Sequence, residues 1–103
     1  MLDKYFQGLT FNVHYNSNGY QGGDAGHGST TILTLENTGG SIYINGEELE
    51  SGEELKIVFR GDWELSDLIA SLEITKKYLE NVAGETAESI LENNGFYDSK
   101  EDK

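Results

Sequence analysis

The fold of this chain is decided by residues 61–84, which read GDWELSDLIASLEITKKYLENVAG. Apolar residues at spacings of three and four predict one long helix over about 62–83, with a stripe that covers one face of a sheet. Asp62 is the predicted N-cap, and Gly84 suits the C′ position that ends the helix. A shorter helix is predicted over 86–93. The predicted stripe consists of Trp63, Leu65, Leu68, Ile69, Leu72, Leu79 and Val82.

Strands are predicted in the residues that precede this helix. Alternation of apolar and polar residues and runs of β-branched residues indicate strands near 9–15, 31–36, 41–44, 47–50 and 54–60. Asn45-Gly46 predicts a type I′ hairpin turn, since both residue types tolerate a positive φ. The predicted fold is therefore α+β: an antiparallel β-meander of four to five strands packed against one long α-helix in the C-terminal half, plus a short second helix.

The length and composition limit the classes of protein to be considered. The chain has 103 residues, which suits a single domain over 1–97 with a frayed tail over 98–103. There is no Cys, so disulfides, thiolate metal sites and cysteine nucleophiles are excluded. The net charge of -12 argues against direct binding of nucleic acid or anionic lipid. Without an apolar run of about 18 residues, a cytoplasmic protein with no membrane contact is expected.

The glycine-rich segment 16–30, NSNGYQGGDAGHGST, is long for a connection in a small domain. Successive N–H groups of such a segment can form a nest for an anion. It does not match a P-loop, because no Lys precedes Ser29 and a strand follows in place of a helix. Two interpretations stay open: a plain connecting loop, or a loop that closes on a partner or a small ligand. Its candidate binding residues are Tyr20, Asp24, His27 and Ser29.

Catalytic and metal sites are not predicted. His14, Asp24 and His27 are possible ligand types, but their spacing matches no established metal motif, and alternation places His14 on the polar side of its strand. Ser29, His27 and Asp24 share one loop, whereas a catalytic triad needs a rigid scaffold. The chain is therefore expected to be a non-enzyme without a cofactor.

Acidic residues are the main anomaly of the composition, with 19 Asp and Glu against 7 Lys and Arg. They favour either a solvated, aggregation-resistant surface or a surface that attracts a basic groove. Tyr43 lies opposite Ile42 and Ile44 in the strand alternation and is a candidate interface anchor. The predicted partner-binding surface is one patch that combines Tyr43 with eight carboxylates: Glu47, Glu48, Glu50, Glu53, Glu54, Asp62, Glu64 and Asp67.

The size, the acidity, the lack of Cys and the hairpin-plus-helix order resemble small phage-encoded inhibitors of host defence, including anti-CRISPR and anti-restriction proteins. The acidic elements that carry this resemblance are EELESGEE (47–54) and GDWELSD (61–67). Many such inhibitors act as DNA mimics. The resemblance therefore implies a partner such as a CRISPR effector or a restriction nuclease in a bacterial host cell.

Three functional hypotheses follow from the sequence. The leading one is a non-enzymatic inhibitor whose acidic surface blocks the basic site of a nucleic-acid-binding protein. A second is a small-ligand binder, or a sponge for a signalling nucleotide, with segment 16–30 as its lid. A third is a small viral accessory or structural protein that self-associates through an exposed sheet face.

Overall fold

The structure is a computed structural model that describes the backbone of residues 2–24, 27–94 and 97–99 and the side chains of 8–24 and 27–93. Its main element is a five-stranded sheet in the order β6-β3-β2-β1-β7, in which every neighbouring pair is antiparallel. A two-stranded ribbon and two helices complete the fold. The elements in chain order are β1 (Leu2–Gln7), β2 (Phe11–Ser17), β3 (Thr30–Asn37), β4 (Ile42–Ile44), β5 (Glu47–Leu49), β6 (Glu54–Arg60), α1 (Asp62–Ala83), α2 (Ala87–Asn94) and β7 (Tyr97–Ser99).

The predicted α+β class is confirmed, but the strands connect differently from a meander. β4 and β5 pair only with each other, and β3 pairs directly with β6. The main sheet is completed by β1 and β7, which the alternation pattern did not predict. β7 includes the first two residues of the tail expected to fray, and residues 100–103 of that tail lie outside the described residues.

The sheet has one apolar and one polar face, as the period-two pattern predicts. On the apolar face, Leu33 of β3 lies between Tyr15 of β2 and Ile57 of β6. On the polar face, Thr34 lies between His14 and Lys56. Directly opposite residues of antiparallel strands share a face, so these rows extend across the sheet.

Helix α1 follows β6 through Gly61, whose φ of 103° disfavours residues that carry a Cβ. Gly84 ends the helix in the left-handed conformation and donates its N–H to the carbonyl of Glu80 at 2.9 Å, which confirms the predicted C-terminus. The predicted N-cap is wrong: Asp62 is the first helical residue, Gly61 is the cap, and no side chain caps this end. The carboxylate of Asp62 instead contacts the glycine-rich loop.

Helix α1 lies along the apolar face of the sheet, as predicted, but its stripe is not buried. Leu72 faces Val13, Tyr15 and Leu33 across an open groove of about 530 Å³, and none of the side chains of α1 is buried. Trp63, a member of the predicted stripe, is 72% exposed. Nine residues separate Trp63 from Leu72, which is two and a half helical turns, so the two side chains point to opposite sides.

The buried side chains of the described residues are mainly polar. Leu49 is the one buried apolar side chain in this part of the chain, whereas four buried side chains are polar: Ser29, Thr31, Thr34 and Asn37. The described helices include none that is long and apolar enough to cross a membrane.

Candidate functional site

The acidic hairpin, residues 42–54, comprises β4, β5 and the turn that leads into β6. Asn45 and Gly46 have φ values of 53° and 85°, which matches the two positive angles of the predicted type I′ turn. Tyr43 pairs with Glu48, and Ile42 pairs with Leu49 on the other face of the ribbon. Leu49 is buried and Tyr43 is 62% exposed, so the face that carries Tyr43 and Glu48 points to solvent.

Asn37 fixes the acidic hairpin to the end of β3. Its side chain donates to the carbonyls of Gly40 and Leu49 and accepts the N–H groups of Gly39, at 3.0 Å, and Gly40, at 2.7 Å. Its backbone N–H donates to the carbonyl of Glu53 at 3.0 Å. The side chain is only 1% exposed, so it is a buried polar group with all its side-chain atoms paired. It therefore holds both ends of the hairpin against the sheet.

Five carboxylates of the predicted patch lie together in the acidic hairpin. Glu47, Glu48 and Glu53 line one groove of about 410 Å³. Glu53 also accepts the N–H of Glu50 at 2.8 Å, which closes the turn between β5 and β6. Glu54 opens β6, directly opposite Glu36 of β3. Glu48 lies directly opposite Tyr43, whereas Glu47 pairs with Ile44 on the other face of the ribbon, so the hairpin is acidic on both faces.

The other three carboxylates lie elsewhere, so the structure does not bring all eight into one patch. β6 has seven residues, which places its two ends about 20 Å apart. Asp62 follows the far end. Glu64 and Asp67 line a separate groove beside Val58 and Phe59, and Glu64 accepts the N–H of Arg60 at 2.8 Å. The acidic surface is therefore divided between the two ends of β6.

Asp62 organises the glycine-rich loop. Its carboxylate accepts the N–H groups of Gln21 at 3.1 Å, Gly22 at 2.7 Å and Ser29 at 3.0 Å. These hydrogen bonds lower the pKa of Asp62 to about 2, and the bond from Gln21 contributes most. Partial desolvation of the carboxylate raises the pKa, but it does not outweigh the hydrogen bonds. The loop does form an anion nest, and the anion it holds is a carboxylate of the same chain.

Close backbone contacts fix the loop further. The N–H of Asp62 donates to the carbonyl of Gly23 at 2.9 Å. The N–H of Gly61 donates to the carbonyl of Ser29 at 2.7 Å. A Cβ at Gly28 would overlap the carbonyl group of Gly23, so the glycine permits this approach.

The four loop candidates have different environments. Tyr20 is exposed and its hydroxyl lies 3.0 Å from the Oγ of Ser66 in α1. Asp24 and His27 are exposed and share a turn in which the N–H of His27 donates to the carbonyl of Asp24 at 3.0 Å. Ser29 is buried. A small ligand that used the N–H groups of Gln21, Gly22 and Ser29 would have to displace Asp62.

Metal ligation has no geometric support in residues 8–24 and 27–93, where no three His, Asp or Glu side chains are placed to hold one ion. His14 lies on the polar face of β2, opposite Thr34 of β3. Asn37 is the residue that sequence reasoning missed. An Asn followed by Thr-Gly-Gly is typical of an Asx turn, and that signal could have identified it.

Comparison of the chain with family models, with curated proteins and with solved structures gave no match.

Proposed function

We propose that this chain is a non-enzymatic inhibitor that binds a basic nucleic-acid-binding protein in the cytoplasm of a bacterial host. The observation that supports this most directly is the acidic hairpin, in which an exposed tyrosine lies among five glutamates with no Lys or Arg between residues 42 and 54. The resemblance to phage-encoded inhibitors suggests a CRISPR effector or a restriction nuclease as the partner.

Electrostatic attraction gives the acidic hairpin its selectivity for a basic surface. A cluster of like charges raises the association rate with an oppositely charged partner and disfavours acidic ones. Glu47 and Glu48 lie in a groove, where side chains of Lys or Arg from the partner can enter between them. Duplex DNA presents phosphates to the same kind of basic site, so the hairpin and the DNA compete for it.

The rigidity of the hairpin supports the same function. Asn37 holds its base, and the type I′ turn fixes its tip, so little conformational entropy is lost on binding. Tyrosines are common at the energetic centre of interfaces because the ring buries a large area with few rotatable bonds.

The first test reverses three charges that the fold does not use. We expect Glu47→Lys, Glu48→Lys and Glu50→Lys together to weaken capture of nucleic-acid-binding proteins from bacterial lysate at least ~10-fold. The matched control is Glu85→Lys, Glu88→Lys and Glu92→Lys, which changes the net charge equally on exposed residues of another region. Bound proteins are eluted with short duplex DNA and identified by mass spectrometry.

The wild type and the control should retain the same proteins, and duplex DNA should elute them. If the two triple variants bind alike, net charge alone is responsible and the hairpin is not the site. If duplex DNA elutes nothing, the retained proteins do not use their nucleic-acid sites and the proposed function is wrong.

Tyr43 provides a second test at a single position. Tyr43→Ala should weaken binding to the captured partner by about 2 kcal/mol, or ~30-fold, while Tyr43→Phe retains most of the affinity. Because the side chain is largely exposed, the melting temperature should not change with either substitution. Titration calorimetry and thermal melts give the two quantities. Equal affinity of the wild type and Tyr43→Ala would remove Tyr43 from the interface.

A further inference from the structure

Helix α1 carries exposed apolar side chains on more than one side. On one side Leu72 faces the sheet across the 530 Å³ groove. Outside this groove, Ile74, Tyr78 and Val82 follow one another at four-residue spacing, each about 40° further round the helix, and are 69%, 67% and 66% exposed. We call these three residues the outer stripe. A helix that is apolar on more than one side is normally buried on more than one side.

The dimensions of the molecule indicate how much surface is left to be covered. The chain exposes 7238 Å², whereas a folded monomer of 11.4 kDa exposes about 5,800 Å². Its radius of gyration is 15.0 Å, against about 13 Å for a compact domain of this length. The surplus of roughly 1,500 Å² belongs to the whole chain, and α1 holds seven of the thirteen large apolar side chains that are exposed in residues 8–24 and 27–93.

The charge of the last sixteen residues of α1 indicates which partner can cover them, whereas the first turns of the helix carry Asp62, Glu64 and Asp67. Residues 68–83 contain two Glu and two Lys and are neutral, in a chain of net charge -12. These four side chains are paired along the helix: Lys76 lies 3.3 Å from Glu80, and Lys77 lies 3.4 Å from Glu73. Two acidic copies can therefore approach here without repulsion, whereas a basic partner is drawn to the acidic hairpin.

We infer that the outer stripe of α1 is the centre of an interface with a second copy of this chain. A two-fold axis near Tyr78 places the outer stripe of one copy against the outer stripe of the other, as in the isologous interfaces of most homodimers. Four-residue spacing forms the ridge that packs into the groove of a facing helix.

Light scattering after size exclusion tests the inference on the full chain. The wild type should have at least twice the 11.4 kDa chain mass, and Ile74→Gln with Val82→Gln should raise the dissociation constant at least ~100-fold. The matched control is Leu9→Gln with Tyr43→Gln, which replaces two equally exposed apolar residues away from α1. Because Tyr43 belongs to the proposed partner site and not to this interface, the control also separates the two proposals.

A second measurement is independent of whether the double variant folds. The chain has no Cys, so Tyr78→Cys introduces a single thiol at the expected axis. Mild oxidation should convert this variant to a covalent dimer, while Ser51→Cys in the hairpin turn should form no covalent dimer under the same conditions. A wild type that stays at 11.4 kDa, an assembly that the α1 variant leaves intact, or equal cross-linking of the two thiols would overturn the inference. If the chain is monomeric and a host protein binds it through α1, the outer stripe is the binding site of that protein and the inferred dimer is wrong.

Discussion

Asn37→Ala is expected to lower the free energy of unfolding by about 3 kcal/mol, a large share of the stability of a small domain. The substitution removes four hydrogen bonds of a side chain that is 1% exposed and leaves the carbonyls of Gly40 and Leu49 without their amide donor. Buried polar groups that lose a partner are among the few causes of single-residue effects this large.

Urea unfolding at fixed protein concentration measures this effect, since the proposed self-association would make stability depend on concentration. Thr38→Ala is the matched control, because Thr38 is the next residue, its side chain is exposed, and only its backbone N–H bonds to the carbonyl of Thr10. The control should change stability by less than about 0.5 kcal/mol. A loss below about 1 kcal/mol for Asn37→Ala would show that Asn37 does not hold the hairpin.

Asp62→Asn should release the glycine-rich loop while leaving the rest of the fold in place. The asparagine side chain has a single acceptor oxygen, and its NH₂ group is a donor that faces other donors in this site. It therefore cannot accept hydrogen bonds from the N–H groups of Gln21, Gly22 and Ser29 together. We expect hydrogen exchange at these three amides to accelerate at least ~10-fold, with a fall of about 5 °C in melting temperature. Asp67→Asn, on the same helix, is the control and should leave both quantities unchanged.

The pKa of Asp62 gives this prediction a distinct pH dependence. Hydrogen bonding in the folded chain lowers the pKa to about 2, whereas the unfolded chain has an ordinary value near 3.9. The stabilisation is therefore complete above about pH 5 and is lost as the pH falls from about 4 to about 2. Melting temperatures of the wild type and Asp62→Asn should differ most at neutral pH and converge near pH 2. A difference that persists or grows in acid would contradict the role of the carboxylate.

Local features of the fold could be predicted from the sequence because their signals are local. Asn45-Gly46 forms the expected turn, and α1 occupies Asp62–Ala83, as predicted from its apolar spacing and Gly84. By contrast, β7 pairs with β1 across almost the whole chain, as Gln7 pairs with Tyr97, and such distant pairing leaves no periodic signal in three residues. β1 forms a local hairpin with β2, but its residues, LDKYFQ, lack a regular alternation of apolar and polar side chains.

The candidate site was predictable only in part for the same reason. Composition identified the acidic residues, but the length of β6 separates them into two groups, and that depends on strand order. Aspartate is a residue type that often caps the N-terminus of a helix. The carboxylate of Asp62 instead accepts the N–H of Gly22, which lies forty residues earlier in the glycine-rich loop. Periodicity also identified the apolar residues of α1, but it assigned the whole stripe to the sheet, whereas Trp63 and Val82 are largely exposed.

The acidic hairpin is an insertion between β3 and β6, two strands that already pair with each other. Asn37 holds it through main-chain groups of Gly39, Gly40 and Leu49, which do not depend on the outward side chains. Positions 43, 47, 48 and 50 can therefore be randomised as a display library without redesign of the sheet. Under the proposed function, the same arrangement lets a few substitutions in the hairpin change the target while the scaffold is maintained.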